Sequence, residues 1–175
     1  MRARSHTHSF RLGTDYTLAE NHSLSFVYNG AYATSHTCQH STGTQTAESV
    51  SSQTSWLHNG RLDYRTPIGL KAGAEFTWYN APGDQLLHSR MGNDSLDFYT
   101  EDGQRINAWK FFLAQEHQLK NGWGLNYGAV YTTSVDHSYQ TYENEELKKN
   151  EESGLPDDVR SRRREQTLNL YAGFS

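Results

Sequence analysis

The residues best suited to chemistry in this chain of 175 form an alternating triplet, His36, Cys38 and His40. In an extended segment alternate side chains share a face, so two imidazoles and a thiol would meet there, ligand types that suit zinc or copper. Spacing fixes no fourth ligand, and the triplet runs into a Ser/Thr/Gln-rich stretch that reads as solvated loop. No metal site and no cofactor are therefore predicted. The remaining histidines, His6, His8, His22, His58, His88, His117 and His137, stand singly, without the spacing or context of a catalytic motif. No Gly-x-Ser-x-Gly elbow occurs. The chain reads as non-enzymatic.

Charged residues offer a second kind of chemistry. Arg11, Asp15, Arg61, Asp63, Arg65, Lys71, Glu75, Lys110 and Glu116 recur at alternate positions within extended stretches, so they would share one face of a sheet. There they would pair across strands and tune the electrostatics of any space they line. A denser basic run, Arg160, Arg162, Arg163 and Arg164, reads as a solvated loop end, with phosphate groups as the ligand that its guanidinium forks would match.

Composition narrows the classes. Apolar residues make up 34% of the chain, low for a globular domain, yet 13% are aromatic and the net charge is only −4, unlike a disordered chain. A strongly basic nucleic-acid binder is excluded by that charge. No apolar run approaches the ~18 residues of a spanning helix. One cysteine cannot form an internal disulfide framework.

Apolar spacing then decides the elements. It has period two over 8–18, 22–34, 56–66, 70–80, 105–119, 123–135 and 165–175. The apolar parity is even up to residue 80, odd over 105–135 and even again over 165–175, and it collects Phe10, Leu12, Leu24, Phe26, Phe76, Phe111, Leu113, Tyr127, Leu168 and Leu170; the opposite parity in each stretch collects the charged set above. The pattern predicts seven strands of about 11–14 residues, longer than the 5–6 usual in globular sheets. Short connections at 19–21, 67–69 and 120–122 each end in Asn or Gly, the mark of a hairpin with a left-handed residue. They predict Leu12 opposite Tyr28, Leu62 opposite Ala74, Arg61 opposite Glu75 and Leu113 opposite Ala129. They also set Phe10 over Gly30 and Phe76 over Gly60, where an aromatic can cover bare backbone. The intervening stretches 35–54, 81–104 and 137–163 read as long loops, with a short extra hairpin near Met91-Gly92-Asn93-Asp94.

Long loops at one end, short turns at the other and a single apolar face are expected of a transmembrane β-barrel, with lipid as the second layer. The other candidate is a soluble secreted or periplasmic β-sandwich binding module, two halves packed face to face. Four stretches carry a resemblance: Phe10-Arg11-Leu12-Gly13-Thr14-Asp15-Tyr16, Leu24-Ser25-Phe26-Val27-Tyr28-Asn29-Gly30, Ala72-Gly73-Ala74-Glu75-Phe76-Thr77 and Leu168-Asn169-Leu170-Tyr171-Ala172-Gly173. They resemble barrel repeats of the outer-membrane β-barrel family of TonB-dependent-receptor-like proteins in Bacteroidetes.

That resemblance implies an up-and-down barrel in the bacterial outer membrane, a plug inside it, coupling to TonB through the plug, and nutrient import. Without an apolar leader or plug, and with an odd strand count, residues 1–175 read as a partial barrel domain. The charged set would then face the lumen and the apolar set the lipid. The partners implied are outer-membrane lipid and the remaining strands and plug.

Overall fold

Strict alternation builds strands because every second side chain can meet one medium while the backbone hydrogen bonds sideways. The computed structural model describes residues 1–43, 46–92, 94–119, 122–143 and 158–174. Seven strands run through them: β1 (Arg2–Ala19), β2 (His22–Ser41), β3 (Thr46–Arg65), β4 (Leu70–Met91), β5 (Asp94–Gln118), β6 (Gly124–Glu143) and β7 (Val159–Phe174). They form one antiparallel sheet in sequence order, with β1 and β7 at its edges. A two-sheet sandwich is thereby overturned, since no second layer lies over the sheet among the described residues.

The tight turns work by backbone conformation. Asn21, Gly69 and Gly122 all take positive φ, at 61°, 83° and 82°. At the second turn the Gly69 amide donates to Thr66 (3.2 Å) and the Thr66 amide to Leu70 (2.9 Å), closing a type I turn with a left-handed residue. Glycine is doubly required at position 69. A Cβ there would stand 2.2 Å from the Glu116 carbonyl oxygen, which is near because the Glu116 amide donates to the Gly69 carbonyl. At the third turn the Leu119 amide donates to Trp123 (2.7 Å); Lys120 and Asn121 lie outside the described residues.

These turns set the registers the sequence predicts. Leu12 faces Tyr28, Leu62 faces Ala74, Arg61 faces Glu75 and Leu113 faces Ala129. Among the described residues the ladders shift only once, between Thr17 and Ala19 beside the first turn.

Two expectations are corrected. The strands are 16 to 25 residues long, so strand runs through most of 35–54 and 81–104 and through the described parts of 137–163. In these extensions polar side chains fall on both faces, and apolar ones such as Leu86 and Leu87 fall on both too, which hides the strands from any test for alternation, while the ladder needs only the backbone. The hairpin near Met91 is the tip of β4–β5, not a separate unit; Asn93 and residues 144–157 lie outside the described residues.

Second, Phe76 does not cover Gly60. It stands opposite but tilts against Trp109, at a ring separation of 4.6 Å, and the atom nearest a Cβ on Gly60 belongs to Tyr28. Phe10 does cover Gly30. The same device recurs at Phe112 over Gly73, Tyr139 over Gly103 and Tyr171 over Gly128, each pair directly opposite in the register.

Candidate functional site

Register assigns every side chain to a face. Phe10, Leu12, Leu24, Phe26, Phe76, Phe111, Leu113, Tyr127, Leu168 and Leu170 lie on one face of the sheet. Several are widely exposed, Leu12 at 64% and Leu170 at 74%, because among the described residues nothing packs over them. The nine charged residues lie on the opposite face, which also carries the buried Ala81, Ser89 and Thr100. Side chains converge on the inside of a curved sheet and splay on the outside, so the polar face is the concave one.

The apolar band crosses the hydrogen-bonded rows obliquely. One row runs Phe10, Gly30, His58, Trp78, Asn107, Val135, Arg164, apolar at its β1 end and cationic at its β7 end. On β7 the first apolar side chain of that face is Leu168, farther toward the tight turns. A flat slab meeting tilted strands produces such a slant, and barrel strands tilt by about 35–45°.

Three tyrosines on the apolar face have their hydroxyls satisfied by histidines. His22 Nδ1 shares a hydrogen bond with Tyr64 (2.8 Å), His117 Nε2 with Tyr127 (3.2 Å) and His58 with Tyr28. The sequence leaves these histidines as singles, since cross-strand partners appear only once registers are known. Amphipathic rings of this kind suit a water–hydrocarbon boundary.

The concave face is a network of paired polar groups. Arg61 donates twice to Asp63 on its own strand, at 2.7 and 2.9 Å, a planar fork matching a carboxylate. Its guanidinium also sits 5.6 Å from the Phe112 ring centroid. Although Glu75 stands opposite, it accepts instead from Asn59 Nδ2 (3.0 Å). Asn59 also donates to Thr77 Oγ1 (2.9 Å) and accepts from Asn29 (3.1 Å), tying β2, β3 and β4 together. Sequence reading misses this ladder because the β2–β3 register depends on a connection of unknown length.

Lys71 reaches Glu116 on β5 at 2.6 Å, and Lys110 stands opposite Glu75. Arg11, Asp15 and Arg65 share the face. With five cations and four anions interleaved, this predicted set gives a surface of alternating sign rather than one strong field.

His36, Cys38 and His40 share a face of β2, as their spacing predicts. His36 meets both Cys38 Sγ (3.4 Å) and Ser52 Oγ (3.2 Å), and His40 does not join them. Among the described residues no three potential ligands gather to hold a metal ion.

With this geometry in view, similarity to solved structures is informative. The ferric citrate transporter FecA matches 96% of this chain at a TM-score of 0.59 and 17% identity. The ferric yersiniabactin uptake receptor FyuA of Yersinia pestis matches 97% at 0.56 and 11% identity, and the RagAB peptide transporter 98% at 0.52 and 12%. The likeness is one of fold. This sheet has the architecture of the barrel portion of outer-membrane receptors. The chain spans about a quarter of the length of each of these three. No family model matches the sequence, and no curated protein does.

Proposed function

We propose that this chain is a stretch of wall from an outer-membrane β-barrel receptor or transporter of the TonB-dependent type, the Bacteroidetes type its repeats resemble. The observation that carries the reading is the division of faces. Seven register-locked strands expose a band of large apolar side chains on the convex face, and the concave face holds paired charges and amides. Lipid supplies the missing layer. Arg11, Asp15, Arg61, Asp63, Arg65, Lys71, Glu75, Lys110 and Glu116 line the lumen; Phe10, Leu12, Leu24, Phe26, Phe76, Phe111, Leu113, Tyr127, Leu168 and Leu170 face lipid.

The remaining strands of the barrel pair with the open edges of β1 and β7, and a plug inside it meets the charged wall and engages TonB. The cargo is a nutrient, a small molecule or an oligomer, and the long strand ends rise around its entrance. Likeness of fold to uptake receptors and transporters supports the transport role.

Adjacent residues on opposite faces give the test. In a Cys38→Ser background, Phe111→Cys should react with a membrane-partitioning probe and resist a water-soluble maleimide, and Lys110→Cys should do the reverse. Equal reaction of both sites with the water-soluble reagent refutes the lipid face. So does a folded, monodisperse monomer in buffer without detergent.

A further inference from the structure

Toward the strand tips the concave face changes character. Nearer the tight turns it carries the interleaved charges. Farther out, the row Gln53, Gly83, Asp102, Gln140 and its neighbour Ala81, Gln104, Ser138 hold a single charge between them, on Asp102. With Tyr79 these residues line a groove of about 330 Å³, large enough for a sugar ring. Gln104 Nε2 donates to Asp136 (2.9 Å), which holds that amide in place. Among the described residues none makes a hydrogen bond or ion pair to the side chains of Tyr79, Asp102, Ser138 or Gln140. Phenol, carboxylate, hydroxyl and amide are therefore all open to a ligand.

Beyond the groove the same face turns apolar. Phe98 stands opposite Leu87, and its ring lies 5.7 Å from that of Tyr142 on β6. Leu96, one same-face step farther out, is 44% exposed. Lipid does not reach the inside of a barrel, so apolar surface there marks a binding site. Short turns face the periplasm in outer-membrane barrels, which puts groove and patch together at the outer mouth. Tyr142 and Gln140 are successive side chains of this face on β6, about 7 Å apart along the strand. A ligand of two linked six-membered rings spans that step.

Chemistry narrows the ligand. Each sugar hydroxyl donates and accepts, as an amide does, and a carboxylate can accept from two adjacent hydroxyls. An anion would meet Asp102, and Arg163, which stands opposite Asp136, pairs with Glu165 instead. An extended peptide adds to an open sheet edge, and β3 to β6 are paired on both sides. We propose that this end of the lumen binds a neutral glycoside bearing an aromatic group. Its sugar hydroxyls bond to Asp102, Gln104 and Gln140, and its aromatic ring packs against Phe98 and Tyr142. The inference rests on the barrel reading above and narrows the cargo.

The test uses the full-length protein, purified from outer membranes in lauryldimethylamine oxide, a detergent without sugar. The probes are the 4-nitrophenyl glycosides of glucose, galactose, mannose and xylose, the four free sugars, and 4-nitrobenzoate, with binding read by equilibrium dialysis. At least one glycoside should bind about tenfold more tightly than its free sugar and than the benzoate. Phe98→Ala should erase the advantage over the free sugar. Asp102→Asn, of the same size, should weaken the glycoside about tenfold and narrow its margin over the benzoate. Tyr99→Ala, next to Phe98 in sequence but on the convex face, should change nothing.

No glycoside bound by the folded wild type overturns the site, as does binding that Phe98→Ala and Asp102→Asn leave unchanged. Free sugar bound as tightly as the glycoside overturns the aromatic assignment, and benzoate bound as tightly overturns the neutral one. If Phe98→Ala fails to fold, Phe98→Leu keeps the apolar bulk without the ring and should weaken the glycoside about threefold. A protein that stays folded and monomeric without detergent refutes the barrel itself; a detergent-dependent barrel indifferent to these probes refutes only the site.

Discussion

The half of the sheet near the tight turns and the half beyond the apolar band share one backbone ladder and differ in almost everything else. Near the turns each strand alternates, as in Leu70, Ala72, Ala74, Phe76 and Trp78 against Lys71, Gly73, Glu75 and Thr77. Farther along the same strand the alternation breaks, with Asp84, Gln85, His88, Ser89 and Arg90 putting polar groups on both faces and Leu86 and Leu87 one apolar side chain on each, yet the pairing of β4 with β5 continues unbroken to Met91 and Asp94. Alternation therefore marks where a sheet meets an apolar medium, and does not mark where its strands stop. Past the band, strands persist because each residue simply extends a ladder already in register.

That contrast can be broken most forcefully at the band. Phe111→Arg should cost about 2–4 kcal/mol in urea unfolding from lipid bilayers. Thr54→Arg, on the same face but beyond the band, should stay within about 0.5 kcal/mol. Similar costs at both positions would erase the distinction between the halves. Turn residues come next. Gly69→Ala meets both a positive φ and the Glu116 carbonyl and should cost about 2–3 kcal/mol. Gly92→Ala at the far tip meets only its φ of 63°, with no atom within 4 Å, and should cost about 1 kcal/mol.

Smaller effects sharpen the picture of the concave wall. Asn59→Ala removes the bonds to Asn29, Glu75 and Thr77 and should cost about 1–2 kcal/mol. Gln85→Ala, which loses one exposed bond to Ser49, should fall below about 0.5 kcal/mol. Smallest of all, a double-mutant cycle on Lys71 and Glu116 should give a coupling of about 0.2–1 kcal/mol that shrinks as salt is raised, since both side chains are well exposed.

What the sequence discloses follows the same division. Three hairpins are legible because Asn21, Gly69 and Gly122 punctuate alternating runs, and a turn of known length dictates register. The β2–β3, β4–β5 and β6–β7 registers are not legible, because their connections look long and featureless. With them go the Asn29–Asn59 ladder, the Lys71–Glu116 pair and the alignment of His137 with Arg162. Register also says which residues stand opposite without saying which way a ring turns. Phe76 opposes Gly60 as read, yet its ring lies on Trp109, a larger aromatic surface than a glycine offers. The triplet at His36 shows the converse: shared parity is correct, but side-chain reach leaves His40 out.

The three left-handed turns also carry a kinetic meaning. Each strand pairs with its neighbours in sequence, so the ladders can close from the turn outward, each new pair costing little loop entropy. The turn at Gly69 would then belong to the nucleus of its hairpin, and the tip at Gly92 to a part that closes early in its own hairpin. The rows of β2 and β3 near Ser23 and Arg65 lie farthest from the connection between those two strands and would join late in that hairpin. Strain introduced at Gly69 should slow folding, whereas a lost contact between β2 and β3 near Ser23 should mainly speed unfolding.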